Sequence, residues 1–322
     1  MPWRAPPGAN APDPYRVWLS EIMLQQTQVA SARPYFEKFT ARWPSFASLA
    51  AAEDSDLMAA WAGLGYYARA RNLLACAREV AARGELPGTE AELLKLPGIG
   101  GYTAAAIAAI AFGQRAVVVD ANVERVVARL FAVAEPLPGA RKRIHALTDS
   151  ITPDARAGDF AQAMMDLGSG ICTARSPRCL LCPLRPDCAG FASGAPEAFP
   201  VKAAKTPKPQ RHGTIFWLTR GDRVLLVRRP AKGLLGGMRA LPTGPWSDSP
   251  PGLEGAPVSA AWRMLDETAA HGFTHFNLQL ALAVAEAGEH EIHGGEWWPI
   301  AEMESAGLPT VFAKAARIFG RA

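Results

Sequence analysis

Four of the five cysteines stand close enough in the sequence to bind one metal centre together. They follow a Cys-x6-Cys-x2-Cys-x5-Cys spacing with prolines between them: Cys172, Cys179, Cys182 and Cys188. Prolines disfavour regular helix or strand and indicate a compact loop that wraps its ligand. Four thiolates in one loop suit either a zinc ion or a [4Fe–4S] cluster. The spacing favours a metal over disulfides, and these residues leave zinc and iron–sulfur both open.

Two carboxyl groups in contrasting settings could supply acid and electrostatic chemistry. Glu21 lies in a helix predicted to begin at Asp13-Pro14, among apolar residues such as Trp18 and Ile22. It is either a solvated helix residue or a partly desolvated carboxyl whose raised pKa keeps it protonated near neutral pH. Asp120 follows a short β-branched run and precedes an amphipathic segment, a position that suits a helix N-cap.

Two glycine-rich turns could contact a ligand. The turn Leu-Pro-Gly-Ile-Gly-Gly at positions 96–101 opens into an alanine-rich apolar helix. Glycines before a helix allow backbone N–H groups to face outward and hold an anion such as phosphate, although an ordinary turn between helices explains the same residues. The second turn, Gly-Leu-Gly-Tyr-Tyr at positions 63–67, presents side chains that suit either a core or a wedge between bases.

Composition limits the function classes without choosing among them. The chain has 34 Lys and Arg against 30 Asp and Glu, so its formal charge of +4 permits nucleic-acid binding but does not argue for it. No apolar run reaches the length of a bilayer span, and the first residues lack a secretory signal pattern. We therefore expect a cytoplasmic protein, associated with the nucleoid if it binds DNA.

The residue pattern changes from mainly helical to partly strand-like after a Pro- and Lys-rich stretch, and this change predicts two domains. Residues 1–194 form an all-α domain, 195–210 a linker, and 211–322 an α+β domain. Beyond the first helix, we predict helices at 34–42, 53–61, 68–83 and 90–95, and two more within 141–170. In the second domain we predict strands at 214–219 and 223–228 joined at Gly221-Asp222, further strands at 276–285 and 296–299, and helices near 258–269 and 311–319.

Taken together, these motifs resemble those of a known family. The Leu96–Gly100 turn, the aspartate after Val119 and the cysteine loop at 172–188 are similar to those of the endonuclease III-like superfamily, the helix-hairpin-helix-GPD base-excision glycosylases. A finer resemblance is to the MutY-type adenine DNA glycosylases, and the C-terminal region resembles the Nudix-like domain of that family. The stretches that carry the finer resemblance are Pro2-Trp3-Arg4, Asp13-Pro14-Tyr15, Ser20–Thr27, Gly63–Arg69, Val119–Val123, Gly233–Met238 and Phe273-Thr274-His275.

The resemblance implies the chemistry of a monofunctional glycosylase that removes adenine opposite 8-oxoguanine or guanine in double-stranded DNA. It implies that Glu21 protonates the adenine, that Asp120 stabilises the cationic sugar, and that Tyr102 and Asn122 orient them. Bifunctional relatives carry a Schiff-base lysine at the position of Tyr102, and a phenol cannot form an imine. The Nudix-like domain lacks an evident cluster of glutamates for hydrolysis, so we expect it to serve recognition only.

The resemblance also implies binding residues and a cofactor. The four cysteines would hold a [4Fe–4S] cluster, and we expect a monomer that binds no membrane. The family has a helix before Trp3, whereas this sequence begins almost at the tryptophan; either the start site is misassigned or the helix is absent. We expect this to affect first-helix packing, not the chemistry. The residues implied to contact DNA or its bases are Trp3, Arg4, Gln26, Thr27, Leu64, Tyr66, Gly98, Gly100, Asp166, Phe273, Thr274 and His275.

Three other interpretations compete with this one. A related glycosylase of the same superfamily could act on another mismatch, for example thymine opposite guanine. A non-catalytic DNA-binding module with a structural iron–sulfur cluster would retain the cysteine loop, but the presence of Glu21 and Asp120 argues against it. A scaffold protein with a zinc loop would also retain the four cysteines.

Overall fold

The computed structural model describes residues 1–203, 207–230, 233–288, 292 and 294–320. The chain divides into two compact units, Met1–Ala204 and Lys205–Ala322. No helix among the described residues is long and apolar enough to cross a membrane.

Unit 1 is built from α-helices joined by short turns. The helices that were predicted are present, although the one expected at 34–42 begins earlier, at Val29. The helices are α1 (Pro14–Leu24), α2 (Val29–Arg42), α3 (Phe46–Ala50), α4 (Asp54–Trp61), α5 (Ala68–Arg83), α6 (Glu90–Leu93), α7 (Gly101–Phe112), α8 (Ala121–Leu130), α9 (Arg141–Ile151), α10 (Ala157–Gly170) and α11 (Ala189–Ala192).

Helix α7 is the central element of unit 1. Its residues from Thr103 to Ala111 are all buried, and it contacts α1, α6 and α10. Small alanine side chains allow neighbouring helices to approach its backbone closely, and burial on every face explains why its sequence has no polar stripe. Because α1 and α10 pack against α7, residues far apart in the chain come together along its first turns.

The hairpin between α6 and α7 depends on glycine. Gly98 has a φ of +76°, and a Cβ at this position would lie 2.7 Å from the Cβ of Asn72. Gly100 is the N-cap residue of α7, which begins at the next residue. The turn therefore leaves the first N–H groups of α7 without a side-chain cap, as an anion-binding helix start requires.

The stretch predicted as a linker starts with residues that are held against unit 1. The guanidinium of Arg129 donates through Nε to the carbonyl of Phe199 at 3.1 Å. The Leu137 N–H donates to the Val201 carbonyl at 2.9 Å, and Leu137 pairs with Lys202. Residues up to 203 are thus fixed by hydrogen bonds that composition alone does not reveal.

Unit 2 contains a six-stranded mixed sheet in the order β3-β2-β1-β5-β4, with β6 paired to β2. Strands β1 and β5 are parallel and the other pairs are antiparallel. Helix α12 (Thr310–Phe319) contributes Phe312 and Phe319 to the core on the sheet. The strands are β1 (Gln210–Arg220), β2 (Arg223–Arg228), β3 (Arg239–Ala240), β4 (Arg263–Gly272), β5 (Asn277–Glu286) and β6 (Gly295–Pro299).

The helix predicted near 258–269 is wrong, because most of this segment belongs to strand β4. Its Ala, Met, Leu and Glu residues favour a helix, but pairing with β5 overrides that local preference. A register irregularity between Met264 and Thr268 accommodates the charged pair Asp266 and Glu267. The other elements predicted in this unit are present, so the expected all-α and α+β fold classes are confirmed.

Candidate active site

Glu21 is a desolvated carboxyl in the wall of a large cavity. The middle of α1 is buried, and Glu21 itself is only 6% exposed. It lines a cavity of about 870 Å³ in unit 1. Desolvation raises its pKa from 4.5 to about 7; Asp120 adds to the increase, while Tyr102 and Arg4 oppose it. Of the two interpretations that the sequence left open, the structure agrees with the desolvated carboxyl, because Glu21 is buried and not solvated.

The Tyr102 hydroxyl fixes one oxygen of this acid. It donates a hydrogen bond of 2.8 Å to Glu21 Oε2 and lies 3.5 Å from the Met165 Sδ. Tyr102 stands in the first turn of α7, which packs against α1. Burial and the nearby Glu21 raise the pKa of Tyr102 above its usual range, so the phenol remains a donor. Because Oε2 accepts this bond, the proton of neutral Glu21 belongs on Oε1.

Asp120 presents the opposite environment at the start of α8. Its Oδ1 accepts backbone N–H bonds from Asn122 at 2.9 Å and from Val123 at 2.7 Å. Its Oδ2 accepts from Asn122 Nδ2 at 2.9 Å. Three N–H donors and the positive end of the helix dipole stabilise a carboxylate. The predicted N-cap is therefore present, and Asp120 lines the same cavity as Glu21.

Two further predicted residues form an ion pair in the wall of the cavity. Arg4 Nη1 lies 2.6 Å from Asp166 Oδ2, which joins the N-terminal segment to α10. Trp3 is buried and meets the Phe36 ring edge-on at 5.0 Å between centroids. The sequence-predicted residues that line this one cavity are Trp3, Arg4, Glu21, Gln26, Thr27, Tyr102, Asp120, Asn122 and Asp166.

The two side chains of the turn at 63–67 that the resemblance implies contact DNA differ in position. Tyr66 is 63% exposed and has a φ of 50°, whereas Leu64 is only 7% exposed and belongs to the core. Gly63 and Gly65 both have positive φ, and the backbone between them turns Leu64 inward. Tyr66, and not Leu64, is therefore the side chain that this turn offers to a partner.

Arg69 holds that turn against the end of α1, and sequence reasoning missed it. It is 8% exposed. Its Nη1 donates to the carbonyls of Met23 and Gln25, and its Nη2 donates to Leu64 O and Thr27 Oγ1 at 3.1 Å each. One guanidinium thus ties the exposed turn to the helix that carries Glu21. Its place in the Gly-Leu-Gly-Tyr-Tyr-Ala-Arg stretch was the only available signal.

The four cysteines line one small cavity together with Arg129. Burial raises the pKa of the Cys179 thiol, and the nearby Cys172, Cys188 and Cys182 add to that rise. Arg129 Nη1 donates to Cys172 Sγ at 3.3 Å. In the described ranges, no group of three or more His, Cys, Asp or Glu residues is arranged to hold a metal ion.

Arg125 connects the cysteine loop to Asp120. Its Nε donates to the Cys172 carbonyl at 2.7 Å, and its Nη2 donates to Asn122 Oδ1 at 2.9 Å. Asn122 in turn donates to Asp120 Oδ2. Sequence reasoning missed this residue too; its position one turn after Asn122 on α8 was the available hint.

In unit 2, Phe273-Thr274-His275 forms the connection between β4 and β5. Thr274 and His275 are exposed, and the Phe273 N–H donates to the Phe276 carbonyl at 2.8 Å. The bond closes a tight turn with Thr274 and His275 at its tip. Gly98 and Gly100 likewise lie at a surface turn, outside the cavity that contains Glu21.

Family models match both units. Residues 19–153 match the HhH-GPD superfamily of base excision DNA repair proteins, and residues 214–317 match the Nudix domain. The human adenine DNA glycosylase is 33% identical over 95% of this chain and 68% of its own length. The chain belongs to the adenine DNA glycosylase family. Another member, from Mycolicibacterium smegmatis, is 41% identical over 60% of this chain and 67% of its own.

Solved structures support the fold of unit 1. A thermostable thymine-DNA glycosylase superposes with a TM-score of 0.54 at 30% identity, covering 60% of this chain and 88% of the other. Within the family, coverage of the relatives' own lengths is about two thirds, at 68% for the human protein and 67% for the mycobacterial one. The HhH-GPD match contains Glu21, Tyr102 and Asp120 but ends before the cysteine loop.

Proposed function

We propose that this chain hydrolyses the N-glycosidic bond of adenine paired with 8-oxoguanine or guanine in double-stranded DNA. The observation that carries the proposal is one cavity holding two carboxyl groups in opposite environments. Glu21 has a pKa raised to about 7, and Asp120 accepts three N–H bonds. Carboxyl groups with opposite protonation states are what acid-assisted glycoside cleavage needs. Membership of the adenine DNA glycosylase family supports adenine as the leaving base.

The chemistry assigns a distinct step to each carboxyl group. Adenine leaves the base stack and enters the cavity. Glu21 passes its Oε1 proton to adenine N7, and the C1′–N9 bond breaks with its electron pair remaining on the base. The Asp120 carboxylate stabilises the oxocarbenium-like sugar. Water then adds to C1′ and its released proton restores the acid, so the balance needs no other reactant.

The phenol at position 102 argues for base removal without strand cleavage. Strand cleavage through an imine requires an amine nucleophile. At this position the chain offers the Tyr102 hydroxyl, which is engaged with Glu21 at 2.8 Å. The side chain therefore orients the acid and forms no covalent bond to the sugar.

We propose that several surfaces of unit 1 bind the DNA around this cavity, and that a turn of unit 2 recognises the lesion. The N–H groups at the Gly98–Gly100 turn would hold a phosphate, and exposed Tyr66 would fill the gap left by the extruded base. Gln26 and Thr27 would face the opposite base, and Arg4, Asp166 and Trp3 would surround the adenine. Thr274 and His275 in unit 2 would read 8-oxoguanine.

We also propose that the four cysteines hold a [4Fe–4S] cluster. The four cysteines line one cavity, and four thiolates in one loop suit either a zinc ion or a [4Fe–4S] cluster. The resemblance to the endonuclease III-like glycosylases favours the cluster. Arg129 adds a buried positive charge beside Cys172, which favours thiolates. The cluster would cross-link the loop that Arg125 and Arg129 join to α8. A brown protein with a broad visible absorption band supports this, and a colourless zinc protein contradicts it.

Single-turnover base release tests the function. The substrates are duplexes with adenine opposite 8-oxoguanine, guanine or thymine, and with thymine opposite guanine. We expect release of adenine from the first two only. A second candidate, thymine removal from G:T pairs, is favoured by the likeness to the thymine-DNA glycosylase and would be supported by release from the last duplex.

A further inference from the structure

A packed aromatic base supports the Phe273–His275 turn in unit 2. The Phe273 ring centroid lies 4.9 Å from that of Phe276 and 5.7 Å from that of Trp246. The ring of His271 meets Phe273 edge-on at 4.5 Å. These contacts fix the root of the turn and leave Thr274 and His275 exposed at its tip.

Two arginines lie over rings of this aromatic cluster, each over a different ring. The Arg229 guanidinium carbon lies 4.9 Å from the Trp246 ring centroid, and that of Arg211 lies 4.9 Å from the Phe276 centroid. A third cation, Lys208, donates to the Phe273 carbonyl at 2.7 Å. Stacking uses the flat face of a guanidinium and leaves its N–H edges available for bidentate bonds.

These three cations have no carboxylate partner in the part of the chain that the structure describes. Ion pairs within 4.0 Å are formed by other arginines, including Arg239 with Glu296 in the same unit. Arg229 uses its Nε to bond Leu234 O at 3.1 Å, and burial lowers its pKa. Arg229 is half-buried, whereas Arg211 and Lys208 are exposed. Keeping Arg229 without a counter-charge is costly, which argues that an external anion completes the site.

We propose that Arg211, Arg229 and Lys208 bind backbone phosphates of the DNA strand that carries the oxidised guanine. This rests on the proposed function, since it takes Thr274 and His275 to contact that guanine. A nucleotide at the tip of the turn has phosphates on both sides of its sugar, and these would pass the root of the turn. Flat, stacked guanidinium groups match phosphate oxygens in geometry as well as charge. The tip would then read the base while the stacked arginines grip the strand.

Salt-dependent DNA binding by the full chain tests this site. The probe is a duplex with 2′-fluoro-2′-deoxyadenosine, which resists base release, opposite either 8-oxoguanine or guanine. Replacing both arginines (R211Q with R229Q) should reduce the slope of log Kd against log salt by about two, since each lost phosphate contact removes about 0.9. Both duplexes should weaken by the same factor, whereas H275A should change the ratio between them.

Two control variants make the result specific. Arg263→Gln removes an exposed arginine at the opposite end of β4 and should leave the slope unchanged. The lysine pair R211K with R229K keeps the charges and should recover most of the slope. If the double glutamine variant does not fold, each single variant should still lower the slope by about one.

Three results would contradict the proposed phosphate site. They are an unchanged salt slope in the double glutamine variant, a loss of affinity confined to the 8-oxoguanine duplex, and an equal loss of slope in R263Q. A second measurement separates failure of the phosphate site from failure of the proposed function: adenine release by the unmodified chain from a duplex that carries normal deoxyadenosine opposite 8-oxoguanine. Release together with an unchanged slope refutes the phosphate site alone. No release refutes the proposed function, whatever the slope.

Discussion

The middle of α1 and the start of α8 each present one carboxyl group to the same cavity, yet the two groups lie in opposite environments. Glu21 is surrounded by buried residues, accepts one hydrogen bond from Tyr102 and has a raised pKa. Asp120 accepts three N–H bonds at a helix N-terminus. The secondary structure around the two carboxyl groups therefore gives them different environments, one buried and one surrounded by N–H donors, and acid-assisted bond cleavage needs such a difference.

The largest expected effect comes from removing the acid. Glu21→Gln keeps the shape of the side chain but cannot donate a carboxyl proton. Because a general acid contributes about 10²- to 10⁴-fold, single-turnover adenine release should fall by about 10³-fold or more with duplex binding retained. The matched variant Glu124→Gln changes another cavity-lining carboxyl and should lose less than about tenfold. Similar losses in both variants would remove the distinction between the two carboxyl groups.

Removing the charge at α8 should have the next largest effect. Asp120→Asn keeps an N-cap but loses the negative charge, and we expect a rate loss of about 10²- to 10³-fold. Asp13→Asn is the matched control, because Asp13 caps α1 through a 2.9 Å bond from the Tyr15 N–H without lining the cavity. A comparable rate loss in the control would show that capping, and not charge, is what matters.

Glu21→Gln should also stabilise the fold in alkaline solution. The folded protein raises the pKa of Glu21 from 4.5 to about 7, so the unfolded state loses its proton first as the pH rises. The free energy of unfolding therefore falls as the pH rises from 4.5 to about 7, and above pH 7 the total loss is about 3 kcal/mol. Chemical denaturation should find the variant more stable than the parent at pH 8 and closer to it at pH 5. The exposed Glu85→Gln should give the same difference at both pH values.

Tyr102→Phe should have the smallest effect on rate and a clear effect on pH dependence. The Tyr102 bond opposes the raised pKa of Glu21, so its loss should move that pKa upward. The rate near pH 7 should change by less than about tenfold. Single-turnover rates between pH 6 and 9 should show the alkaline decline at higher pH than in the parent. A decline displaced toward acid would contradict the role given to this hydroxyl.

The local environments of the two carboxyl groups could largely be predicted from the sequence, but their contacts with distant residues could not. Asp13-Pro14 and Asp120 predicted their helix starts, and the apolar neighbours of Glu21 allowed a desolvated acid. The bond between Tyr102 and Glu21 joins residues 81 positions apart, and only the packing of α7 on α1 brings them together. The partners of Arg69 and Arg125 are mostly backbone carbonyls, which no side-chain pattern reveals.

Strand β4 in unit 2 and Leu64 in unit 1 show the same limit, because in each a local prediction is overridden. Residues 263–269 have helix-favouring side chains, yet they form β4 because β5 offers backbone partners along its edge. Leu64, an apolar residue between two glycines, suits a wedge between bases, yet the positive φ of both glycines turns its side chain into the core. In the first case the outcome depends on a strand distant in sequence, and in the second on the backbone angles of the flanking glycines, not on the type of the residue itself.

The pH dependence of single-turnover adenine release, with the duplex saturated by enzyme, tests the central claim most directly. Under these conditions the rate reports ionisation within the bound complex. If a protonated Glu21 is the acid, the rate should be level in mild acid and fall about tenfold per pH unit above a break at or above pH 7. A rate that stays constant from pH 6 to pH 9, or one that rises with pH, would contradict the account.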